Sequence, residues 1–440
     1  MGSGRRSGIG IEERMVTESE PGDIRAGNSD VSKEAFVWIA RLTERERSTL
    51  IATFAGWMLD GLDVMAYSFV VPTLLVAWHM TRGQAGMLGT SALLISSGGG
   101  WLAGILADRY GRVRVLQLTI LWFALFTFLS GFTHTFTELL IVRGLQGLGF
   151  GGEWAVGSVL MGESIRTKYR GKAVGTVQSG WAIGWGISAL CYAIFFSLLP
   201  SAIAWRAMFW IGILPALLVF YIRKHVPETE AFRNAHRAQR GSVMKIFAPA
   251  ILRTTLLASL VSLGAQGGYY AITTWLPLYL KSTRGLTTLD TGGYLAVVIA
   301  GSFAGYLTAA YLTDRLGRRG TLILFAVCSF VAVLSYVNAP IGNSVMLLLG
   351  FPLGFFASGS FSPMGAFFTE LFPTPLRASG QGFSYNLGRG AGALFPTFVG
   401  FFSARLSLGT SIAAFAVVAY LAMICGVMLL PETRGRELIA

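Results

Sequence analysis

Asp108-Arg109-Tyr110-Gly111-Arg112 recurs as Asp314-Arg315-Leu316-Gly317-Arg318, 206 residues further along the chain. Glu163 with Arg170-Gly171 recurs as Glu370 with Arg377-Ala378 after 207 residues, and Pro227-Glu228-Thr229 as Pro431-Glu432-Thr433 after 204. Three separate motifs recurring after nearly the same interval indicate a duplication. Around them hydropathy marks six apolar spans per copy, near 50–76, 86–107, 115–134, 137–162, 172–198 and 205–223, then 254–280, 291–312, 320–338, 342–369, 378–403 and 407–430. Each is long enough for a bilayer, which takes about 20 apolar residues, and each is read as a helix because a segment in lipid must satisfy its own backbone. Six is even, so the halves share one orientation about an axis along the membrane normal. The expected fold is an all-α integral membrane protein of twelve transmembrane helices in two parallel six-helix halves. Residues 1–47 form an N-terminal tail, 48–223 the first half, 224–250 a central loop, 251–430 the second half and 431–440 a C-terminal tail.

The composition agrees. Of 440 residues 53% are hydrophobic and 13% charged, against about 25% charged in an average soluble domain. The net charge of +13 has a topological reading. With the first span starting inside, 28 of the 35 Lys and Arg fall on the predicted inner side, five outside and two within spans, which orients the chain with both termini cytoplasmic. The bases are spread over inner loops rather than gathered on one face, which argues against nucleic-acid binding. Cys191, Cys328 and Cys425 all lie in apolar stretches and are read as packing residues, without disulfides or a metal site. Residues 1–47 mix nine acids with eight bases and carry no signal-peptide pattern.

The repeated motifs resemble those of the major facilitator superfamily over essentially the whole chain after residue 48. Its GxLADRxGR-type loop is matched by Gly104-Ile105-Leu106-Ala107-Asp108-Arg109-Tyr110-Gly111-Arg112, and more loosely by Ala310 to Arg319. The resemblance implies a cytoplasmic gate, latching the outward-open state, at Asp108, Arg109, Arg112, Glu163 and Arg170 and at Asp314, Arg315, Arg318, Glu370 and Arg377. Asp60-Gly61-Leu62-Asp63, with Arg143-Gly144-Leu145-Gln146-Gly147-Leu148-Gly149 running on to Gly152-Glu153-Trp154, is similar to the metabolite and aromatic-acid proton symporters, including the sialate type. Sugar porters also place Gly-x-Asp in span one and an arginine in span four, where the pair couples proton to solute; the counterparts are Asp63 and Arg143. The chain departs from that branch at Pro227-Glu228-Thr229-Glu230, which lacks the usual arginine.

Five ionisable groups lie deep within spans, away from their ends: Asp60, Asp63, Arg143, Glu153 and Arg389. Such groups cost about 2.5–3.5 kcal/mol each at mid-bilayer, so they line cavities and pair. At about 1.5 Å per residue, Asp63 and Arg143 share a level about 20 Å from the inner surface, Asp60 lies about 15 Å from it and Glu153 about 6 Å. The coupling ion is read as a proton, carried by Asp63 with Arg143 first, then Asp60, then Glu153. The four histidines, His79, His134, His225 and His236, fall at span ends or in the central loop. Arg389 has no acid in the spans of its own half, so its expected partner is a solute carboxylate, which a guanidinium fork suits. Gln381, Tyr385 and Arg389 share one helix face, with Asn386 adjacent; Gln178, Trp181 and Trp185 form a second stripe, and Gln266, Tyr269 and Tyr270 a third.

The functional reading is proton-coupled symport of a small organic carboxylate, aromatic or another monocarboxylate, by alternating access, by a monomer in the plasma (inner) membrane, needing no cofactor besides the proton. The alternative is a sugar or other neutral-solute symporter, or a drug antiporter, of the same fold. An enzyme is disfavoured because the chain has no phosphate loop, no His-x-x-x-His pair and no nucleophile motif with a partner.

Overall fold

The computed structural model describes residues 38–166, 170–228, 246–372 and 377–434. Residues 38–42 belong to a first unit, residues 1–42, and close one helical turn through a hydrogen bond from Arg41 N to Trp38 O (3.2 Å). The second unit, 43–440, carries the helices.

In the first half these are α1 (Glu44–Ala77), α2 (Arg82–Tyr110), α3 (Arg112–Ser130), α4 (Phe136–Ser164), α5 (Arg170–Leu198), and α6 (Ser201–Trp210) continued by α7 (Pro215–His225). In the second half they are α8 (Pro249–Thr273) with α9 (Leu276–Ser282), α10 (Thr288–Leu316), α11 (Arg318–Asn338), α12 (Asn343–Gly359) with α13 (Phe361–Leu371), α14 (Arg377–Gly392) with α15 (Leu394–Phe402), and α16 (Leu408–Leu429). Paired segments form single interrupted spans, so twelve spans result, six per half. The first helix starts earlier than expected: Thr43 makes a capping box with Glu46, which draws residues 44–47 out of the tail and into α1.

Among the described residues nine spans are long and apolar enough to cross a membrane by composition alone. The three that complete the twelve are α4, α8–α9 and α14–α15. They are less apolar because they carry Arg143 and Glu153, Gln266 with Tyr269 and Tyr270, and Tyr385 with Arg389.

Small residues decide which helices touch, since lipid gives little hydrophobic drive between helices and close backbone approach supplies the packing. The glycine run after Arg143 serves this purpose. A Cβ on Gly147 or Gly151 would collide with Ala92 O or Ser96 O of α2, and one on Gly99 with Leu148 O of α4. The second half repeats the device between α10 and α12, where Gly301 and Gly305 lie against Phe351 O and Phe355 O.

The face carrying the Asp-Arg-x-Gly-Arg loops is termed here the basic face. Toward the opposite face the halves are tied together: Thr90 Oγ1 donates to Ala393 O (2.5 Å), Arg82 Nη1 to Ser403 O (3.3 Å) and Lys281 Nζ to Tyr192 OH (3.1 Å). At mid-depth Trp181 Nε1 donates to Tyr269 OH (2.7 Å).

Candidate functional site

Two buried polar networks lie at mid-depth, one within the first half and one that joins the two halves. In the one nearer the opposite face, Gln146 Nε2 donates to Asp63 Oδ2 and lies 2.8 Å from Thr127 Oγ1. Arg143 is close enough to act electrostatically on Asp63. Its Nε, however, donates to Leu88 O (3.3 Å), and its guanidinium lies over the Tyr67 ring, 4.4 Å from the centroid. Asp63 and Arg143 thus meet, as their shared level predicts, but neutral donors provide the hydrogen bonds of Asp63. Asp63 Oδ1 and Arg143 Nη1 have no hydrogen-bond partner among the described residues. A small cavity touches Tyr67, Arg143, Gln146, Phe150 and Tyr270.

The second network is central. Asp60, Glu153 and Arg389 are each 1–2% exposed. The Asp60 and Glu153 carboxyls are in hydrogen-bond contact, and Arg389 is within electrostatic reach of both. Arg389 Nε donates to Gln266 Oε1 (3.3 Å), while the guanidinium lies 4.9 Å from the Phe150 centroid and 5.1 Å from that of Tyr385. Its Nη1 is without a hydrogen-bond partner among the described residues. Gln266 Nε2 in turn donates to Ser262 Oγ (2.7 Å) and Tyr385 O (3.0 Å), so α8 orients the arginine of α14. A second cavity opens here, lined by Trp57, Gln178, Trp181, Tyr269, Tyr270, Tyr306, Phe361, Tyr385 and Arg389. At about 20 Å³ it holds about one water, so this conformation is closed around the site.

Two expectations need correcting. Depth counting separated Asp60 from Glu153, yet they touch. Side chains lean toward the N-terminus of their own helix, and α1 and α4 run in opposite directions, so Asp60 leans toward the basic face and Glu153 away from it. Gly56 completes the fit, because a Cβ there would collide with Glu153 Oε1. Arg389 was also expected to lack an acidic partner. Its own half supplies none, but the first half brings the Asp60–Glu153 pair to it.

Among the predicted stripes, Gln178, Trp181, Tyr269, Tyr270 and Tyr385 line the central cavity. Trp185 packs edge-on against Tyr269 (6.5 Å) without lining it. Asn386 donates to Gly382 O (3.0 Å) and lies against Gly100 of α2; Gln381 is not among the lining residues. Trp57 and Trp154 were missed. The Trp57 ring packs in tilted contact with those of Trp154 (4.5 Å between centroids, 42°) and Trp181 (5.0 Å, 41°). Their positions carried a signal, since Trp57 precedes Asp60 by three residues and Trp154 follows Glu153.

On the basic face the side chains of Asp108, Arg109, Glu163, Arg170, Asp314 and Arg377 lie outside the described ones. The described gate residues tie helix ends within their own half. Arg318 makes a bidentate pair with Glu370 (Nη2–Oε1 2.9 Å, Nε–Oε2 3.1 Å), and Thr433 Oγ1 donates to Glu370 Oε2 (2.5 Å). Arg434 Nη1 donates to Arg315 O (2.7 Å), and Arg112 Nη1 to Ala107 O (3.0 Å).

The Pro-Glu-Thr motifs have a function that spacing did not reveal. Glu432 accepts from the backbone N–H groups of Arg318 and Arg319 (both 3.0 Å), and Glu228 from those of Arg112 and Val113 (3.1 and 3.2 Å). Each carboxylate therefore caps the N-terminus of α11 or α3, where a negative charge is favoured. The motif glycines follow from this: Gly111 (φ 106°) and Gly317 (φ 83°) turn the chain into the capped helix, and a Cβ on Gly317 would sit 2.7 Å from Glu432 Oε2. Burial alone would push the Glu432 carboxyl up. The backbone N–H groups of Arg434, Arg318, Arg319 and Thr433 outweigh it and hold the carboxyl below its usual range.

Two duplicated six-helix halves, enclosing buried charges and an aromatic cavity at mid-depth, define a membrane carrier of the two-half type. The Major Facilitator Superfamily profile matches residues 53–344 and 300–438, and the chain belongs to that family, whose members are carriers rather than enzymes. It is 44% identical over 405 residues to a probable 4-methylmuconolactone transporter of Cupriavidus pinatubonensis (91% of this chain, 94% of that one). To the cis,cis-muconate transport protein of Acinetobacter baylyi it is 30% identical over 386 residues (85% and 91%). Both relatives fall in the organic-acid branch that the Asp60-Gly61-Leu62-Asp63 motif indicated. Among solved structures, the proton:xylose symporter XylE bound to 6-bromo-6-deoxy-D-glucose shares the fold, with a TM-score of 0.72 at 20% identity over 90% of this chain and 98% of that one.

Proposed function

We propose that this protein is a proton-coupled symporter that imports a small, flat organic carboxylate by alternating access. It works as a monomer in the inner membrane, with the basic face and both termini in the cytoplasm. The observation that carries the reading is Arg389: a buried guanidinium whose Nη1 has no hydrogen-bond partner among the described residues, set among rings at a mid-depth cavity. A carboxylate accepts from the guanidinium fork, while Trp57, Trp181 and Tyr385 offer faces to a planar or conjugated body. The relatives named for 4-methylmuconolactone and cis,cis-muconate support an unsaturated acid. A neutral solute would offer Arg389 Nη1 only an uncharged acceptor, which makes the weaker hydrogen bond. Buried carboxyls at the same depth supply groups able to carry the proton, and the closed opposite face together with the small cavity fits one stage of an alternating cycle.

The test is uptake by proteoliposomes of cis,cis-muconate, 4-methylmuconolactone and the pair benzoate and benzamide, with and without an imposed pH gradient. Acids are expected to accumulate only with the acidic side outside, and a protonophore should abolish the accumulation. Benzamide handled as well as benzoate would overturn the carboxylate reading, and accumulation indifferent to the gradient would overturn proton coupling.

A further inference from the structure

The Asp60–Glu153 contact sets a chemical requirement. A carboxylate only accepts hydrogen bonds, so two carboxyls in hydrogen-bond contact need a proton between them. With one proton the pair carries a single negative charge, which Arg389 balances. Asp60 Oδ2 finds no donor among the described residues, so that balance rests on the arginine. The surroundings enforce it: both carboxyls are buried, Trp57 lies one turn before Asp60 and Trp154 next to Glu153 in the chain with their rings 4.5 Å apart, and an uncompensated charge in such a place is costly.

A solute carboxylate that engages Arg389 Nη1 adds one negative charge. The site returns to neutrality only when the pair takes up a second proton. We propose that the Asp60–Glu153 pair is the site of the transported proton: it holds one proton throughout the cycle and binds a second when the solute's carboxylate claims Arg389. This rests on the symport reading above and assigns the proton to a specific pair. Each monocarboxylate then carries one proton, and both the loaded and the empty carrier cross the membrane electrically neutral. The charged groups acting on Asp60, besides Glu153, are Asp63 one turn along α1 and Arg389 from α14. The other titratable groups around the cavity are tyrosines, and α5 contributes the neutral Gln178 and Trp181. Asp63, hydrogen-bonded to Gln146 and balanced by Arg143, forms a separate neutral unit.

The assignment makes an unusual demand on variants. Asp60→Asn or Glu153→Gln alone replaces the permanently held proton with an amide that donates the same hydrogen bond, so each single variant keeps proton uptake on solute binding at about one per anion. The double variant Asp60→Asn/Glu153→Gln has no carboxyl left and binds solute without proton uptake; it supports counterflow but not accumulation under a pH gradient. The monocarboxylates 4-methylmuconolactone and benzoate are the probes, with proton uptake read by a pH dye in weakly buffered detergent solution and binding read in the same titration. Asp63→Asn should leave the proton count unchanged.

Loss of proton uptake in one single variant, in Asp63→Asn, or in none of the four variants would overturn the assignment while leaving symport standing. A parent protein that takes up no proton and ignores the gradient would instead sink the symport reading itself. Infrared difference spectra of the parent give a measurement that does not depend on folding of the double variant. Solute binding should increase the protonated-carboxyl C=O signal, and its absence counts against the proposal.

Discussion

Arg389→Lys keeps a positive charge at the centre of the carrier but removes two features the structure gives that charge. Lysine has no Nε to donate to Gln266 Oε1, and its single ammonium cannot present two parallel N–H groups to a carboxylate. The solute loses about one charge-assisted hydrogen bond, worth roughly 1.5–3 kcal/mol, which raises Kd about 10- to 150-fold. Arg389→Ala goes further, because it leaves the Asp60–Glu153 pair unbalanced as well as deleting the anchor. Truncating one partner of a buried charge pair costs roughly 2–5 kcal/mol, or roughly 30- to several-thousand-fold in Kd. Isothermal calorimetry of a carboxylate and its amide against parent, lysine and alanine proteins separates these effects. The parent should prefer the acid, the lysine variant should bind it more weakly, and the alanine variant should no longer discriminate. Equal affinity of the parent for acid and amide, or indifference to the alanine change, would refute the reasoning and make Arg389 a packing residue.

Packing, capping and latch can each be tested with one substitution. Gly151→Ala forces a methyl onto Ser96 O and should cost about 1–3 kcal/mol of stability through overpacking, seen as a lower Tm in detergent. Gly98→Ala, with nothing within 4 Å of the added carbon, is the control and should not lower Tm. The stabilisation given by Glu432 depends on pH with a definite sign. Its folded pKa lies below the unfolded value near 4.5, so the contribution is complete above pH 4.5 and lost as pH falls through the folded value. The Tm difference between parent and Glu432→Gln should therefore be constant at neutral pH and shrink on acidification below 4.5; a gap that widens would contradict the capping account. Asp108→Asn should shift the population toward inward-open states, read as faster alkylation of cysteines introduced on the cytoplasmic side of the cavity and slower transport.

The fold was legible because its signals are one-dimensional. Twelve apolar runs, a duplicated Asp-Arg-x-Gly-Arg loop and a Lys/Arg bias all survive without knowledge of how helices cross. Arg389, Tyr385, Trp181 and Gln178 were legible for a related reason, since polar or aromatic residues at helical spacing inside an apolar span mark an inward face. Contacts between helices were less accessible. Counting residues from span ends treats helices as upright rods and side chains as points, so it separated Asp60 from Glu153, whose side chains lean toward each other from antiparallel helices. It also could not see that Glu432 reaches back to cap α11, because the two positions are over a hundred residues apart and meet only when the half is assembled.

The duplication itself explains how the site came to be divided. At the basic face the copies remain alike: Glu228 and Glu432 cap equivalent helices, and Gly111 and Gly317 make the same turn. In the centre they have diverged, with the first half carrying Asp60, Asp63 and Glu153 against one arginine, Arg143, and the second carrying Arg389 without an acid. With one proton on the carboxyl pair, the first half holds one net negative charge there and the second one net positive charge. Neither half neutralises its own centre, so the electrostatics hold the halves together at mid-depth. Anything that changes the charge between them, a solute anion or a proton, alters the free energy of separating them on one side or the other. A solute anion alone leaves an uncompensated charge, and a second proton alone leaves Arg389 unbalanced. Only the two together restore the neutral contact, the coupling that the proposed symport requires.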